Sequence, residues 1–338
     1  MLLCEVNIVI TPKILTFFVT NTCNAKCSHC FNWKTCSTGE LSLEEIQKIN
    51  FNGFDSISIT GGEPTLRVDL ADICSQVVKN KIYLNTNGLM PKRVTEVIEK
   101  IGANMISITV SLDGTKELHN QIRGIDCFDS AVETLKLCKK ANADVTILTT
   151  LSHFNITNIP LFMDYLKSEK LFTKKGNIVF NIARGLEHTF NLDPSLSFYH
   201  NPRSNNALLT LTELKSVYNQ IKPYMTNQNR VVWEYSIKML TLHKKLLHCY
   251  AGRLEMVLHS NGDVAVCEYT KPFANIRDYS YDLLALWNSK TAQTIRNKLN
   301  TCYCIHPCNL NTAIPRSLTG MLKLTPDIAK NKIKQLKI

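Results

Sequence analysis

Between residue 13 and about residue 183 the chain alternates short β-rich runs with helical patterns, and this alternation constrains its fold most strongly. The β-rich runs contain much Ile, Val, Thr and Phe, and several are nearly continuous apolar segments, as strands buried on both faces should be. The six strand candidates are Ile14–Thr20, Ser56–Thr60, Ile82–Asn85, Met105–Ser111, Asp144–Leu151 and Asn177–Ala183.

Helical patterns separate these strand candidates. Ser42, with Glu45 three residues later, predicts a capping box at the start of the first helix. The other helices are expected over Leu70–Asn80, Lys92–Ile101, Phe128–Ala141 and about Ile159–Ser168. Six β/α repeats imply an α/β fold with a parallel sheet and right-handed crossovers, either an open sheet or part of a barrel.

The rhythm breaks after about residue 184. Helices are expected over Leu211–Tyr224 and Trp233–Leu247, and a β-hairpin over Leu254–Glu268, where Ser-Asn-Gly-Asp supplies the turn. We therefore expect a core of residues 1–205, a helical connection of residues 206–248, a cysteine-rich unit of residues 249–310 and a tail of residues 311–338.

Composition limits the class of protein. With 338 residues, 44% of them hydrophobic and 20% charged, the chain resembles ordinary globular proteins. No apolar run approaches the roughly 20 residues of a membrane span, and the start lacks a signal-peptide pattern, so a cytoplasmic location is expected. The net charge of +11 favours an anionic partner such as a nucleotide, a phosphorylated sugar or an acidic peptide. A Lys/Asn-rich composition explains a basic surface equally well.

Thirteen cysteines are many for this length, and in a reducing compartment clustered cysteines are more often metal ligands than disulfide partners. Cys23, Cys27 and Cys30 lie on the loop after the first strand candidate, at the edge where parallel α/β folds collect ligands. Three thiolates can hold three irons of a cubane and leave the fourth iron open. A zinc site with His29 as fourth ligand is the alternative.

The Cys-x3-Cys-x2-Cys spacing on the first βα loop of a six-fold β/α chain resembles the radical S-adenosylmethionine (SAM) superfamily. The resemblance implies a partial (β/α)6 barrel closed by a small C-terminal extension. It also implies that Cys23, Cys27 and Cys30 ligate a [4Fe–4S] cluster whose open iron is chelated by SAM. His29 occupies the aromatic position of the family signature, and His29 or Phe31 would lie near the adenine.

A Gly-Gly-Glu-Pro segment at residues 61–64 follows the second strand candidate and matches the segment that binds the SAM amino group in this family. The glycines Gly61 and Gly62 would let the backbone approach a ligand closely. Glu63, or nearby backbone groups, can accept a hydrogen bond from an ammonium. Alone this tetrapeptide would be an ordinary turn; its position at a strand end favours a functional role.

Other segments match the family at later strand ends. Asn87 lies in a Thr-Asn-Gly segment that recurs in relatives. By resemblance Ser111 would contact the SAM ribose, with help from Asp113, and Arg123 would pair with the SAM carboxylate, a role that suits a bidentate guanidinium. A surface salt bridge is the alternative for Arg123. Leu151 could pack on the adenine, although a core leucine is an equal reading.

Five cysteines form a second group: Cys249, Cys267, Cys302, Cys304 and Cys308. Their spacing resembles the SPASM or shorter twitch extensions of radical SAM enzymes. A full SPASM domain needs seven or more cysteines for two auxiliary clusters, so five predict one auxiliary [4Fe–4S] cluster. Cys249, Cys267 and Cys308 are the expected ligands, with either Cys302 or Cys304 as the fourth; zinc is the alternative.

The resemblance implies a radical SAM oxidoreductase in which a 5′-deoxyadenosyl radical abstracts hydrogen from a substrate and the auxiliary cluster accepts or relays an electron. An external donor of the flavodoxin or ferredoxin type would reduce the first cluster. The single auxiliary cluster, and the absence of an N-terminal leader-binding domain, slightly favour a carbohydrate or aminocyclitol substrate over a ribosomally made peptide.

A rival of another class is a non-catalytic zinc protein that binds nucleic acid through its basic surface. This alternative leaves the Gly-Gly-Glu-Pro segment unexplained, so nucleic acid is not an expected partner. Because no apolar run is long enough to span a membrane, a membrane is not an expected partner either.

Overall fold

The computed structural model describes residues 9–30, 32–34, 38–183, 185, 188–197 and 207–325. Its centre is a parallel sheet of six strands, each paired with the next along the chain. The strands are β1 (Ile14–Thr20), β2 (Ser56–Gly61), β3 (Lys81–Thr86), β4 (Ile106–Ser111), β5 (Asp144–Leu151) and β6 (Ile178–Ile182). The predicted α/β architecture with a parallel sheet is confirmed.

Helices connect the strands, and Ser42 and Glu45 form the predicted capping box. The helices are α1 (Leu43–Ile46), α2 (Leu70–Gln76), α3 (Pro91–Ile101), α4 (Lys116–Arg123), α5 (Phe128–Lys140) and α6 (Ile159–Ser168). The sequence pattern does not predict α4, because two of its three buried residues, His119 and Arg123, are polar. An apolar periodicity therefore cannot reveal this helix.

The second half of the chain adds shorter elements: β7 (Thr189–Phe190), α7 (Leu211–Ile221), α8 (Asn227–Leu242), β8 (Glu255–Leu258), β9 (Asp263–Ala265), β10 (Ala274–Asn275), α9 (Leu283–Trp287), α10 (Lys290–Lys298), β11 (Tyr303–Cys304) and α11 (Pro307–Ala313). Helix α8 begins and ends earlier than expected. The Thr226 side chain caps its start by accepting from Asn229 N, and the left-handed backbone of His243 ends it.

The predicted hairpin, formed by β8 and β9, joins the central sheet. Strand β8 pairs in parallel with β1, and Leu258 lies opposite Phe17. The strand order is therefore β10-β9-β8-β1-β2-β3-β4-β5-β6. The boundary expected at residue 249 is set by the cysteine motifs. The central sheet contains strands from both sides of this boundary.

The apolar core lies against this sheet and includes Phe17, Ile59 and Leu84, all fully buried. A separate antiparallel pair, β7 with β11, places Cys304 opposite Thr189. Within the described ranges, no helix has both the length and the apolar character needed to cross a membrane.

Candidate functional site

The first cysteine loop, residues 21–30, is fastened to the end of α4. Lys26 N donates to Arg123 O over 3.0 Å, and Ser28 N donates to Ile122 O over 2.8 Å. Gly124 ends α4 with a φ of +68°, and a Cβ atom there would lie 3.0 Å from Lys26 O. Glycine therefore permits both the left-handed turn and the close approach of the two segments.

Trp33 closes the cysteine loop from the other side. Its Nε1 donates to the carbonyl oxygens of Cys30, over 2.9 Å, and of Cys27, over 3.3 Å. Cys30 N also donates to Cys27 O, over 3.1 Å. In the sequence, the only signal for this indole is its position shortly after the last cysteine of the loop.

Two thiols of this loop are shielded from water, that of Cys27 more fully than that of Cys23. Burial raises the pKa of Cys23 to about 11. Burial also raises the pKa of Cys27, against the opposing charge of Arg123. Both thiols therefore keep their protons at neutral pH until a metal displaces them. Three cysteines on one short loop beside a cationic guanidinium suit an anionic iron–thiolate centre.

Asp113 and Arg123 form a buried ion pair next to Cys27. Asp113 is fully buried and Arg123 is 7% exposed, so a surface salt bridge is excluded. Arg123 Nε and Nη2 each lie 2.7 Å from Asp113 Oδ2, and Oδ1 accepts from Thr150 N over 2.8 Å. The third nitrogen, Nη1, donates to Cys27 Sγ over 3.6 Å.

The environment keeps Asp113 ionised. Burial alone would raise its pKa, but the charge of Arg123, supported by His29 and His119, holds the pKa below its ordinary value. Asp113 N donates to His119 Nδ1 over 3.0 Å, which places the imidazole proton on Nε2, 3.2 Å from Cys127 Sγ. Burial lowers the pKa of His119 to about 4, so this imidazole is neutral at pH 7.

Glu63 ties the Gly-Gly-Glu-Pro segment to the end of β3. Its Oε1 accepts from Thr65 Oγ1 over 2.6 Å and from Thr86 Oγ1 over 2.7 Å, and its Oε2 accepts from Asn87 N over 2.7 Å. Burial raises the pKa of Glu63, although these hydrogen bonds oppose it. Asn87 continues the link, since its Nδ2 donates to Asn24 Oδ1 on the cysteine loop over 2.7 Å.

The two glycines of this segment pack against the end of β1 and the start of the cysteine loop. A Cβ atom on Gly61 would lie 2.2 Å from Thr20 O, and one on Gly62 would lie 2.3 Å from Thr22 O. Gly62 N donates to Thr20 O and Glu63 N to Thr22 O, each over 2.8 Å. The sequence predicts that the glycines let the backbone approach a ligand. In the structure they let two segments of the chain's own backbone approach each other.

The remaining predicted residues lie at the same edge of the sheet. Ser111 is the last residue of β4 and is half-buried. Leu151 is the last residue of β5, fully buried within the core. His29 is half-buried and close enough to Asp113 to lower the pKa of that carboxyl. Phe31 lies outside the described residues.

Four cysteines of the second group line one cavity: Cys249, Cys267, Cys302 and Cys304. Cys302 and Cys304 are only two residues apart in the chain, and both are among the residues that line this cavity. Arg253, Arg296 and Asn309 line the same cavity. Cys308 is exposed and is not among the lining residues.

Three of the cavity thiols, those of Cys249, Cys267 and Cys302, also retain their protons at neutral pH. Burial raises the pKa of Cys249 and of Cys302 to about 12, and the charge of Cys304 adds to both shifts. Burial, together with the charge of Cys304, also raises the pKa of Cys267 well above its ordinary value. Four thiols around one buried space, with two guanidiniums in its wall, fit an iron–sulfur cluster with four thiolate ligands.

Cys308 lies instead beside His306 and Glu268, whose potential ligand atoms come within 4.8 Å of one another. His306 Nε2 lies 2.9 Å from Glu268 Oε2, and His306 Nδ1 accepts from Cys308 N over 3.2 Å. Because Nδ1 accepts, the imidazole proton lies on Nε2 and faces the carboxylate. This group therefore forms a hydrogen-bonded cap at the start of α11.

Two family models match the chain. The radical SAM superfamily model matches residues 17–166, and the SPASM iron–sulfur cluster-binding domain matches residues 249–309. The sequence is 30% identical over 168 residues to the Fe-coproporphyrin III synthase of Methanosarcina barkeri, which covers 47% of this chain and 42% of that protein. It is 27% identical over 272 residues to the sporulation killing factor maturation protein SkfB of Bacillus subtilis, covering 76% and 60%. The chain thus spans about half the length of these curated relatives.

The fold resembles that of Streptococcus suis SuiB bound to its precursor peptide SuiA. The TM-score is 0.63 at 18% identity, with 88% of this chain and 70% of that chain covered. The zinc-protein alternative finds no support in these matches. Residues 17–166 thus form a radical SAM domain and residues 249–309 a SPASM domain, which together imply a SAM-binding [4Fe–4S] cluster and an auxiliary cluster.

Proposed function

We propose that this protein is a radical SAM oxidoreductase that modifies a ribosomally made peptide. The observation that carries the reaction class is the loop of Cys23, Cys27 and Cys30 held against the buried Asp113–Arg123 pair. When bound, SAM and the first cluster would supply a 5′-deoxyadenosyl radical that abstracts hydrogen, and the auxiliary cluster would accept or relay one electron.

The residues around the first site have separate roles in this proposal. Asp113 occupies Nε and Nη2 of Arg123 and so aims Nη1 toward Cys27. The guanidinium held in this way would bind the carboxylate of SAM. Glu63 Oε2, which accepts one described hydrogen bond from Asn87, would accept from the SAM ammonium. Ser111 would contact the ribose and His29 the adenine, whereas Arg123 and Thr150 engage both Asp113 oxygens and Leu151 lies in the core.

We assign the auxiliary ligands to Cys249, Cys267, Cys302 and Cys304, because these four thiols line one cavity. The spacing alone favours Cys308 with only one of Cys302 and Cys304. The exposure of Cys308 and its contact with His306 support the revised set. Loss of iron in Cys302→Ser but not in Cys308→Ser would test this assignment.

The relatives support a peptide substrate. SkfB is a maturation protein, and the SuiB structure contains a precursor peptide. The expectation of a single auxiliary cluster slightly favours a carbohydrate or aminocyclitol substrate. These two relatives give that substrate class no support. A net charge of +11 suits an acidic peptide. The proposal also requires an external electron donor of the flavodoxin or ferredoxin type.

Anaerobic reconstitution with iron and sulfide, followed by metal analysis and a SAM-cleavage assay with dithionite, tests the reaction class. We expect about eight irons per chain, since each cluster holds four, and formation of 5′-deoxyadenosine. Cys27→Ala should abolish 5′-deoxyadenosine and lose the first cluster, whereas Cys74→Ala, a core thiol, should retain both. Tightly bound zinc in place of iron would refute the proposal.

The substrate class is tested by co-expression with short peptides encoded near this gene. We expect the mass of one such peptide to fall by that of two hydrogen atoms, or a multiple of it. This loss should occur with the parent enzyme and not with the Cys27→Ala variant. Active enzyme that leaves every such peptide unchanged but oxidises an aminocyclitol would overturn the peptide substrate and keep the radical chemistry.

A further inference from the structure

A side-chain amide contacts one of the cavity thiols. Asn309 Nδ2 donates to Cys304 Sγ over 3.3 Å. Asn309 is 7% exposed, and it lines the cavity that contains Cys249, Cys267 and Cys302. The contact is thus made inside the wall of the site and away from bulk water.

The structure holds this amide in place before any cluster binds. Asn309 belongs to α11, whose first residue is Pro307 and whose start is capped by the His306 side chain. His306 is itself anchored to Glu268 over 2.9 Å. Strand β11, which carries Cys304, is anchored by its pairing with β7 and by the stacked rings of Phe190 and Tyr303, 4.8 Å apart. Donor and acceptor therefore lie on two separately anchored elements.

A hydrogen bond to a thiolate ligand stabilises the more negative state of an iron–sulfur centre. Reduction adds one electron, so a donor aimed at sulfur favours the reduced form and raises the reduction potential. The effect is larger in a buried site because water screens it less. The amide adds no net charge, so its action depends on its orientation toward Cys304.

We propose that Asn309 sets the reduction potential of the auxiliary cluster by donating a hydrogen bond to the Cys304 ligand. Asn309 is a positioning residue: it contacts a ligand of the cluster and not the reacting atoms. The inference rests on the proposed function, in that Cys304 must ligate the cluster. A raised potential would make the site a better electron acceptor during substrate oxidation.

The test is an anaerobic redox titration of the full-length protein, followed by electron paramagnetic resonance. A Cys23→Ala, Cys27→Ala, Cys30→Ala background leaves the auxiliary cluster as the only centre, so its midpoint potential is read directly. Asn309→Leu preserves the side-chain size but removes the donor. We expect a lower midpoint potential with unchanged iron and sulfide content. Asn300→Leu is the matched control, because Asn300 lines the same cavity and should leave the potential unchanged.

An unmoved potential in Asn309→Leu, with the cluster intact, would overturn the inference alone. Absence of any iron–sulfur centre in the background protein would overturn the auxiliary cluster itself. If Asn309→Leu fails to assemble the cluster, Asn309→Asp replaces the donor with a negative acceptor and keeps the shape. Its potential should fall below that of the background protein, and a potential equal to or above the background value would refute the proposal.

Discussion

The buried pair of Asp113 and Arg123 shows how this site holds two charges away from water. Desolvation of two ions is costly unless further hydrogen bonds satisfy them. Thr150 N satisfies Asp113 Oδ1, and Cys27 Sγ accepts from Arg123 Nη1. The pair therefore orients the guanidinium toward the cysteine loop. Removal of either partner would leave the charge of the other buried and uncompensated.

Arg123→Leu should lower the free energy of unfolding by about 3–5 kcal/mol, because it leaves the Asp113 carboxylate buried and unpaired. Urea unfolding of the cluster-free protein measures this change. The double variant Asp113→Asn with Arg123→Leu should recover most of the loss.

An exposed ion pair supplies the control for this prediction. Lys116 pairs with Asp129 at the surface, so Lys116→Leu should lower the free energy of unfolding far less than Arg123→Leu does. Equal losses for Arg123→Leu and Lys116→Leu would contradict the role assigned to the buried pair.

His119 predicts a dependence of stability on pH. Burial lowers its pKa from 6.5 to about 4, so between these values the unfolded chain binds a proton that the folded chain does not. The free energy of unfolding should therefore fall as the pH falls through this window.

His119→Asn keeps an acceptor for Asp113 N but does not titrate in this range. Its urea midpoint should decline less between pH 6.5 and pH 4 than that of the parent protein. Parallel declines in the two proteins would show that other groups cause the acid sensitivity.

At the scale of elements, α1 is joined to the segment that follows β10. Glu45 Oε1 accepts from Arg277 Nε over 2.6 Å and from Tyr281 OH over 2.9 Å. These hydrogen bonds, with that from Ser42 N, lower the pKa of Glu45 to about 2. One carboxylate therefore serves both as the capping-box residue of its own helix and as a contact to the SPASM region.

Glu45→Gln should weaken this contact, because a neutral amide binds a guanidinium less strongly than a carboxylate does. We expect a loss of about 1–2 kcal/mol and faster hydrogen exchange at residues 276–281. Glu44→Gln, at the exposed neighbouring position, is the control and should leave exchange at these residues unchanged. Unchanged exchange in Glu45→Gln would show that the contact does not hold the segment.

At the scale of the whole molecule, the SAM domain and the SPASM domain share one sheet. Strand β8 pairs with β1 in parallel, and its Met256 and Leu258 are almost completely buried. Without β8, strand β1 would become an unpaired edge with its apolar neighbours exposed. The two matched domains are therefore not independent in stability.

A fragment of residues 1–248 should aggregate, or unfold at a much lower temperature than the full chain. Size-exclusion chromatography and thermal circular dichroism, with the full chain beside it, measure this difference. A monomeric fragment that melts at the same temperature as the full chain would refute the shared-sheet argument.

The sequence by itself determined the six strands of the parallel sheet, the β8–β9 hairpin, most helix positions, the capping box and the two cysteine groups. These features depend on local periodicity, cap residues and short spacings, which are all readable within a few turns of chain. Helix α4 was not readable, because its buried face carries His119 and Arg123.

Only the tertiary structure decided which distant segments meet. It fastened the cysteine loop to the end of α4, paired β8 with β1, and placed Cys302 in the auxiliary cavity while leaving Cys308 outside. It also showed that Gly62 packs against Thr22. These contacts join residues far apart in the chain, and their free energy depends on burial and packing that no local pattern encodes.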